Sequence, residues 1–204
     1  MLHEGASLIP LLEINDDLVV VLFGDSKYNI HMDAGGHAEQ NESIFDTATR
    51  EGREESLNTF DICINKLNNY VELNGYYGFF NKYNINFEDL SFIYNYNKKI
   101  IYSAKNVPEH WKETKTISIF TIDSLISNNL DNNEYYECLD YFNELKIIHF
   151  RPIEYILKAI SNNIIKKNDN KWNIVNIPSL NIIPKKNNNS SLEFLNGTIS
   201  INIF

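Results

Sequence analysis

The chain has 204 residues and a formal charge of −9, long enough to bury a core without disulfides and too acidic for nonspecific binding to duplex nucleic acid. No apolar run is long enough to span a bilayer, the opening MLHEGASLIP carries a glutamate where a secretion signal would be basic, and Cys63 and Cys138 have no metal or redox spacing. A helical membrane protein and a disulfide framework are thereby excluded, and a soluble cytoplasmic protein with buried or incidental cysteines is expected.

In chain order, ASLIPLLEI and LVVVLF read as two strands joined by a turn at Asn15-Asp16-Asp17, and YNIHMDA as a third short strand. Gly35-Gly36 then leads into a helix, with Ser43 and Asp46 spaced as a capping box and Ile44, Phe45 and Ala48 on one apolar side. FDICINKL, YVEL and YYGFF read as strands, the last two joined by the hairpin signal Asn74-Gly75. LSFIYNY and KIIYSAK are expected to be a further pair of strands, and TISIFTI another. Over residues 134–165 the spacing of Tyr135, Leu139, Phe142 and Leu145 predicts a helix, followed by a second, PIEYILKAI, opened by Pro152. The tail LEFLNGTISINIF predicts a terminal hairpin around Asn196-Gly197, and KKNNNSS at 185–191 has linker composition. The expected class is α+β with a mixed sheet, residues 1–165 forming one domain and 166–204 an extension packed on it.

The segment GGHAEQNESIFDTATREGREES, residues 35–56, holds five glutamates and two arginines. At about 100° per residue, Glu51, Glu54 and Glu55 share an arc of about 100° at the rim of the apolar face. Like charges at these spacings cost a few tenths of a kcal/mol per pair in an isolated helix. A hard divalent cation removes the repulsion; Arg50 paired with Glu54 on a solvated face is the plainer explanation of REGREE alone.

The wider pattern favours the cation. Gly36, five residues, Glu42, seven residues, Arg50-Glu51, two residues and Glu54-Glu55 resembles the signature of the Nudix hydrolases at six positions, a match expected by chance on the order of one time in 10⁵. The resemblance is closest over residues 35–56 and extends loosely from residue 5 to about 126. Gly52 and Asn58 stand where the family usually has aliphatic residues, and Leu57 where it has the glycine that closes the helix; Asn58 is expected to take over that glycine's role.

The resemblance implies a Nudix-like α/β/α sandwich, with C-terminal helices and a terminal hairpin appended, that hydrolyses a diphosphate linkage joining a nucleoside to another group. Glu51, Glu54 and Glu55, with the main-chain carbonyl of Gly35, would hold Mg²⁺ or Mn²⁺. Arg50 would pair with Glu42 and orient the acids, with Glu39 an accessory acid. The general base would be Glu51 or an acid of PEHWKETKTISIF, Glu113 before Glu109.

Three residues are candidates for contact with substrate. Tyr76 lies about eighteen residues past the signature, close to where relatives acting on dinucleoside polyphosphates carry a tyrosine. His37 lies within the signature. Arg151 belongs to a basic stretch: the charge is about −14 over residues 1–145 and about +6 over 146–186, where Arg151, Lys158, Lys166, Lys167 and Lys171 fall. Abundant Asn, Ile, Lys, Tyr and Phe suggest an AT-rich genome. Large DNA viruses with such genomes encode Nudix enzymes that remove mRNA caps, so capped RNA in a host cytoplasm is a further candidate, as are diphosphoinositol polyphosphates. A non-catalytic Nudix-fold binding module is the alternative of a different class. The sequence points to no protein partner.

Overall fold

The computed structural model describes residues 3–60, 62, 67, 69–127, 133–175, 180–181, 190–195 and 198–203. Residues 61 and 63–66 of the strand expected over FDICINKL, Cys63 among them, residues 185–189 of the expected linker, and the turn at Asn196-Gly197 lie outside them.

The first two strands, β1 (Gly5–Ile14) and β2 (Asp17–Asp25), form an antiparallel hairpin. Its turn places Asn15 and Asp16 at φ of 54° and 62°, a left-handed pair that short polar side chains tolerate. Nearly every residue of both strands is buried, because the sheet is covered on both faces. Next come β3 (Ile30–Met32), β4 (Ala34–His37) and helix α1 (Ile44–Glu55). Then follow β5 (Tyr70–Leu73), β6 (Tyr76–Asn84), α2 (Phe87–Ser103), a 3-10 turn over Glu109–Lys112, β7 (Thr114–Thr121) and the short α3 (Ile122–Ile126). The chain continues with β8 (Tyr135–Leu139), β9 (Leu145–His149) and α4 (Phe150–Ser161). It closes with the β10–β11 hairpin (Ile165–Asn168, Lys171–Ile174), β12 (Leu180–Asn181) and the paired β13 (Ser190–Leu195) and β14 (Thr198–Ile203), so a terminal hairpin is present as expected.

Among the described residues the main sheet has ten strands, ordered β12-β6-β1-β2-β3-β9-β8, with β4 also on β1, β5 on β6 and β7 on β2. It is mixed: β1 pairs β6 in parallel and β2 antiparallel, and β3 pairs β9 in parallel. Even-numbered residues of β1, Ala6, Leu8 and Leu12, pack with Ala48 of α1 and Leu90, Tyr94 and Ile101 of α2. Ile9 and Leu11 face the other way, toward Ile122 of α3 and Ile153, Ile156 and Ala159 of α4. The architecture is α+β, a mixed sheet between two helical layers. No helix among the described residues is long and apolar enough to cross a membrane.

Two expectations are corrected. LSFIYNY and KIIYSAK are one helix, α2, rather than two strands. Asn86 caps it by accepting the Asp89 N–H at 2.8 Å, and its buried residues Leu90, Tyr94, Asn97 and Ile101 recur at helical spacing. Its Tyr, Phe and Ile content mimics a strand, since those residues favour sheets when half buried. Conversely, residues 135–149 form the β8–β9 hairpin rather than a helix. Tyr135, Leu139, Phe142 and Leu145, spaced like a helix face, are 44%, 48%, 55% and 61% exposed, while the alternating Tyr136 and Cys138 are buried. The second expected helix stands as α4, with Pro152 in its first turn.

Helix α1 begins as its capping box dictates: Ser43 Oγ accepts the Asp46 N–H, and the Asp46 carboxylate accepts the Ser43 N–H, both at 3.2 Å. At its other end both Leu57 and Asn58 are left-handed, at φ of 52° and 55°. Asn58 therefore does part of the work of the absent glycine, and Leu57 does the rest at a cost on the order of 1 kcal/mol. Complete burial of the Leu57 side chain offsets that cost, and Asn97 Nδ2 donates to its carbonyl at 3.0 Å. Gly52 also has a physical reason. A Cβ there would lie 2.5 Å from Ile62 Cδ1 and 3.0 Å from Leu8 Cβ, so the helix rides close on β1 where an aliphatic residue would push it away. Gly52→Leu, which restores the family's residue type, is therefore expected to lower stability by about 1–3 kcal/mol in thermal unfolding.

Candidate active site

The site is built where α1 passes the short strand β4. Strand β4 pairs with the first half of β1, with Ser7 opposite Gly35 and Ala6 opposite Gly36. Contact requires glycine at Gly35, and at Gly36 glycine leaves room for the Glu51 carboxylate. A Cβ on Gly35 would fall 2.0 Å from Ser7 Cβ, and one on Gly36 would fall 2.5 Å from Glu51 Oε1. The glycine pair thus lets the strand lie flat under the Glu51 carboxylate.

Helix α1 delivers its acids to this place. Glu51 and Glu54 are 9% and 7% exposed, and Glu55 is half-buried. Arg50 holds the first two: Nη1 donates to Glu51 Oε1 at 2.7 Å and to Glu54 Oε2 at 3.3 Å. Its Nε donates to Glu42 Oε1 at 2.7 Å, and its Nη2 to Glu42 Oε2 at 3.0 Å and to the His37 carbonyl at 2.9 Å. Glu42 also accepts from the Thr47 hydroxyl and the Glu39 N–H, both at 2.9 Å. Glu39 is exposed, 3.9 Å from Arg50 Nε.

One arginine does not balance this cluster. The hydrogen bond from Arg50 holds Glu42 down at about 2. Burial acts the other way on the remaining acids. It raises Glu51 against the pull of Arg50, raises Glu54 to about 7, and raises Glu55 to about 8 with repulsion from Glu113, Glu51 and Glu54 adding to the effect. Without a further cation, the helix carries protons near neutral pH that a solvated acid face would have released.

Of the loop acids, Glu113 stands near enough to Glu55 and Glu51 for repulsion to be felt by both, although its side chain is exposed. Glu109 faces solvent and pairs with Lys112 at 2.9 Å. The same loop brings His110, which no sequence spacing marks, so that its Nε2 lies 3.6 Å from Glu54 Oε1.

The three candidate substrate contacts fall around β4. Tyr76 Oη lies 2.9 Å from His37 Nδ1, their rings meeting edge to face. Arg151, in the first turn of α4, donates from Nε to Asp33 Oδ1 and Oδ2 at 3.0 and 3.2 Å, and its Nη2 reaches the Gly35 carbonyl at 3.5 Å. Asp33 is 2% exposed. Its partner is 118 positions away, so no local pattern could have marked it.

Lys167 and Lys171 of the same basic stretch are placed differently. Trp172 N donates to Asp17 Oδ1 at 3.0 Å, which fixes the β10–β11 hairpin at the Ile14/Asp17 end of the β1–β2 pair. Gly35 faces Ser7, seven residues back along β1, or about 23 Å away at strand rise. Lys167 pairs with Asp123 at 2.9 Å and Lys171 with Asp16 at 3.0 Å. Of these three, Arg151 is the one that reaches the site.

Among the described residues, no three side chains of His, Cys, Asp or Glu converge as they lie into a cage for a metal ion. The geometry gives the reason: the Arg50 guanidinium is bonded to both Glu51 and Glu54. The donor set nonetheless suits a hard cation, since it consists of carboxylates with too little positive charge beside them.

No family model matches the chain, and no curated protein does. Among solved structures it is similar to Nudix/MutT proteins. A MutT/nudix family protein from Enterococcus faecalis is 15% identical with a TM-score of 0.44, over 79% of this chain and 62% of that one. A mutT/nudix family protein from Listeria innocua is 13% identical with a TM-score of 0.38, over 78% and 91%. An Ap4A hydrolase from C. elegans, in a binary complex, is 14% identical with a TM-score of 0.38, over 61% and 84%. At such values a likeness carries no chemistry, which has to be read from the side chains of the site itself.

Proposed function

We propose that this protein is a Nudix-type hydrolase that cleaves a phosphoanhydride bond in a nucleotide-like diphosphate, using Mg²⁺ or Mn²⁺. The observation that supports this most strongly is the acid cluster of α1 pressed onto the Gly35-Gly36 strand, with Glu54 and Glu55 pushed to about 7 and 8. Carboxylates shifted this way by burial and by one another are characteristic of sites that bind a ligand.

Glu51, Glu54, Glu55 and the Gly35 carbonyl would hold the cation. When bound it would neutralise phosphate charge and acidify water. Arg50 orients Glu51 and Glu54 from its anchor on Glu42, and its withdrawal from them makes room for a cation. Glu113, exposed and close to Glu55 and Glu51, would accept the proton of the attacking water; Glu51 is the second candidate for that part. His37 and Tyr76 form a hydrogen-bonded aromatic pair beside β4 that offers a face to a nucleobase.

The placement of the lysines bears on the choice of substrate. Lys167 and Lys171 are ion-paired at the far end of the sheet and Arg151 is ion-paired with Asp33, so none of these three offers an unpaired cation at the site. A ligand with one linear phosphate chain suits this surface better than a densely phosphorylated inositol. The test is release of phosphate or nucleotide from dinucleoside polyphosphates, nucleotide sugars, capped RNA and inositol pyrophosphates, with and without Mg²⁺ or Mn²⁺. Metal-dependent cleavage of a nucleotide-type substrate is expected. Tight binding of such ligands with no turnover under any metal would instead identify a binding module.

A further inference from the structure

We infer that Asp33 and Arg151 act as a positioning pair which, together with Arg50, clamps the glycine strand β4 and so sets the Gly35 carbonyl for the cation. This rests on the proposed metal site and extends it to residues outside the signature.

The inference begins with hydrogen-bond phase. Ala38 N donates to the Glu4 carbonyl at 3.0 Å, one bond beyond the end of the β1–β4 ladder, while Glu4 N turns to the Gly75 carbonyl at 2.9 Å; the Glu4 carbonyl, directed at Ala38, sets the phase of the ladder. Antiparallel ladders alternate, which makes Ala6–Gly36 and Leu8–Ala34 bonded pairs and Gly5–His37 and Ser7–Gly35 non-bonded ones. The carbonyls of Gly35 and His37 therefore point away from β1. The close approach of Gly35 to Ser7 Cβ agrees, since side chains are nearest in non-bonded pairs.

These two outward carbonyls are the ones that arginines reach. Arg50 of α1 takes the His37 carbonyl at 2.9 Å, and Arg151 of α4 lies 3.5 Å from the Gly35 carbonyl. Among the described residues, β4 pairs with β1 alone, and its two central glycines have no side chains to pack. Backbone of that kind has the most conformational freedom to lose, and something must remove it if its carbonyl is to serve as a ligand at fixed geometry.

Asp33 and Arg151 stand where this restraint can be applied. Strands β3 and β9 run parallel, with Ile30 opposite Ile147 and His31 opposite Ile148, and both end there. Past those ends the chain passes through Asp33 into β4 on one side, and directly into α4, whose first turn holds Arg151, on the other. The bifurcated bond from Arg151 Nε to both Asp33 oxygens locks the two exits together and turns the Nη end of the guanidinium onto β4. Asp33 is buried and Arg151 largely so, with 19% of its side chain exposed. The pair is thus positioning machinery for the strand and is not free to act as a surface anion trap.

The test is direct Mn²⁺ binding, by electron paramagnetic resonance of the free ion and by calorimetry, on the full chain. The double variant D33N/R151Q leaves net charge unchanged, so a change in affinity reads positioning and not field. It is expected to bind Mn²⁺ roughly tenfold or more weakly, with turnover largely recovered at saturating Mn²⁺. Arg151→Lys keeps the charge opposite Asp33 but cannot bond it and reach the Gly35 carbonyl at once; it is expected to weaken Mn²⁺ binding in the same direction with little loss of stability. If wild type binds Mn²⁺ and either folded variant binds it equally well, the clamp is overturned while the metal site stands. If wild type itself binds no Mn²⁺, the metal site fails and the clamp falls with it.

Discussion

Glu55→Gln is expected to abolish metal-dependent hydrolysis while making the metal-free protein more stable above neutral pH. Glutamine keeps the shape but offers neither negative charge nor the same donor strength, so turnover should fall on the order of 10²-fold or more. The stability gain follows from proton linkage. Glu55 is pushed to about 8 in the folded protein, above its ordinary value near 4.5, and Glu54 to about 7. Between those limits the folded chain binds protons that the unfolded chain has already lost, so the metal-free fold loses stability as pH rises from about 4.5 to about 8. Removing the Glu55 charge should flatten that decline and gain about 1–3 kcal/mol at pH 8, several degrees in Tm. Thermal unfolding from pH 5 to 8.5, with EDTA and then with Mn²⁺, checks both signs. Mn²⁺ should restore the wild type at pH 8 and do much less for the variant. A Glu55→Gln protein that is both active and no more stable would remove this residue from the site.

Arg50→Gln should do the opposite to the fold. It strands three carboxylates, on Glu42, Glu51 and Glu54, and releases the His37 carbonyl from its anchor. Loss of one partner of a buried charge cluster costs several kcal/mol in well-shielded cases. With 21% of the Arg50 side chain exposed, about 2–4 kcal/mol is expected at pH 8. The loss should shrink toward pH 5.5, where Glu54 and Glu55 take up protons and repel less, leaving mainly the broken contact with Glu42. Mn²⁺ should recover part of the stability at pH 8, because a cation among the carboxylates replaces the missing guanidinium. A pH-independent loss, indifferent to Mn²⁺, would mean that Arg50 only packs.

These variants touch residues that one short segment of sequence had already marked. The spacing from Gly36 to Glu55 fixes which acids share a helical turn, because the period of the helix and the Ser43–Asp46 cap are local properties. The turns at Asn15-Asp16 and Asn74-Gly75 were readable for the same reason: each is set by residues that tolerate left-handed backbone. Where a segment's composition and its period disagree, sequence pattern alone misassigns the element. The aromatic and β-branched residues of α2 looked like strands, and the exposed residues of β8 and β9 imitated a helix face, since burial by the rest of the fold decides between the two periods.

The sequence by itself determined a helix bearing a tight cluster of acids, the glycine pair before it, and an α+β order of elements around both. Only the tertiary structure decided what surrounds that helix. It placed Asp33 against Arg151, His110 against Glu54 and Tyr76 against His37, and it carried Lys167 and Lys171 to the far end of the sheet. Such pairings join residues tens of positions apart, and their partners are chosen by strand register and by the faces that helices bury, for which no short stretch of chain holds a code.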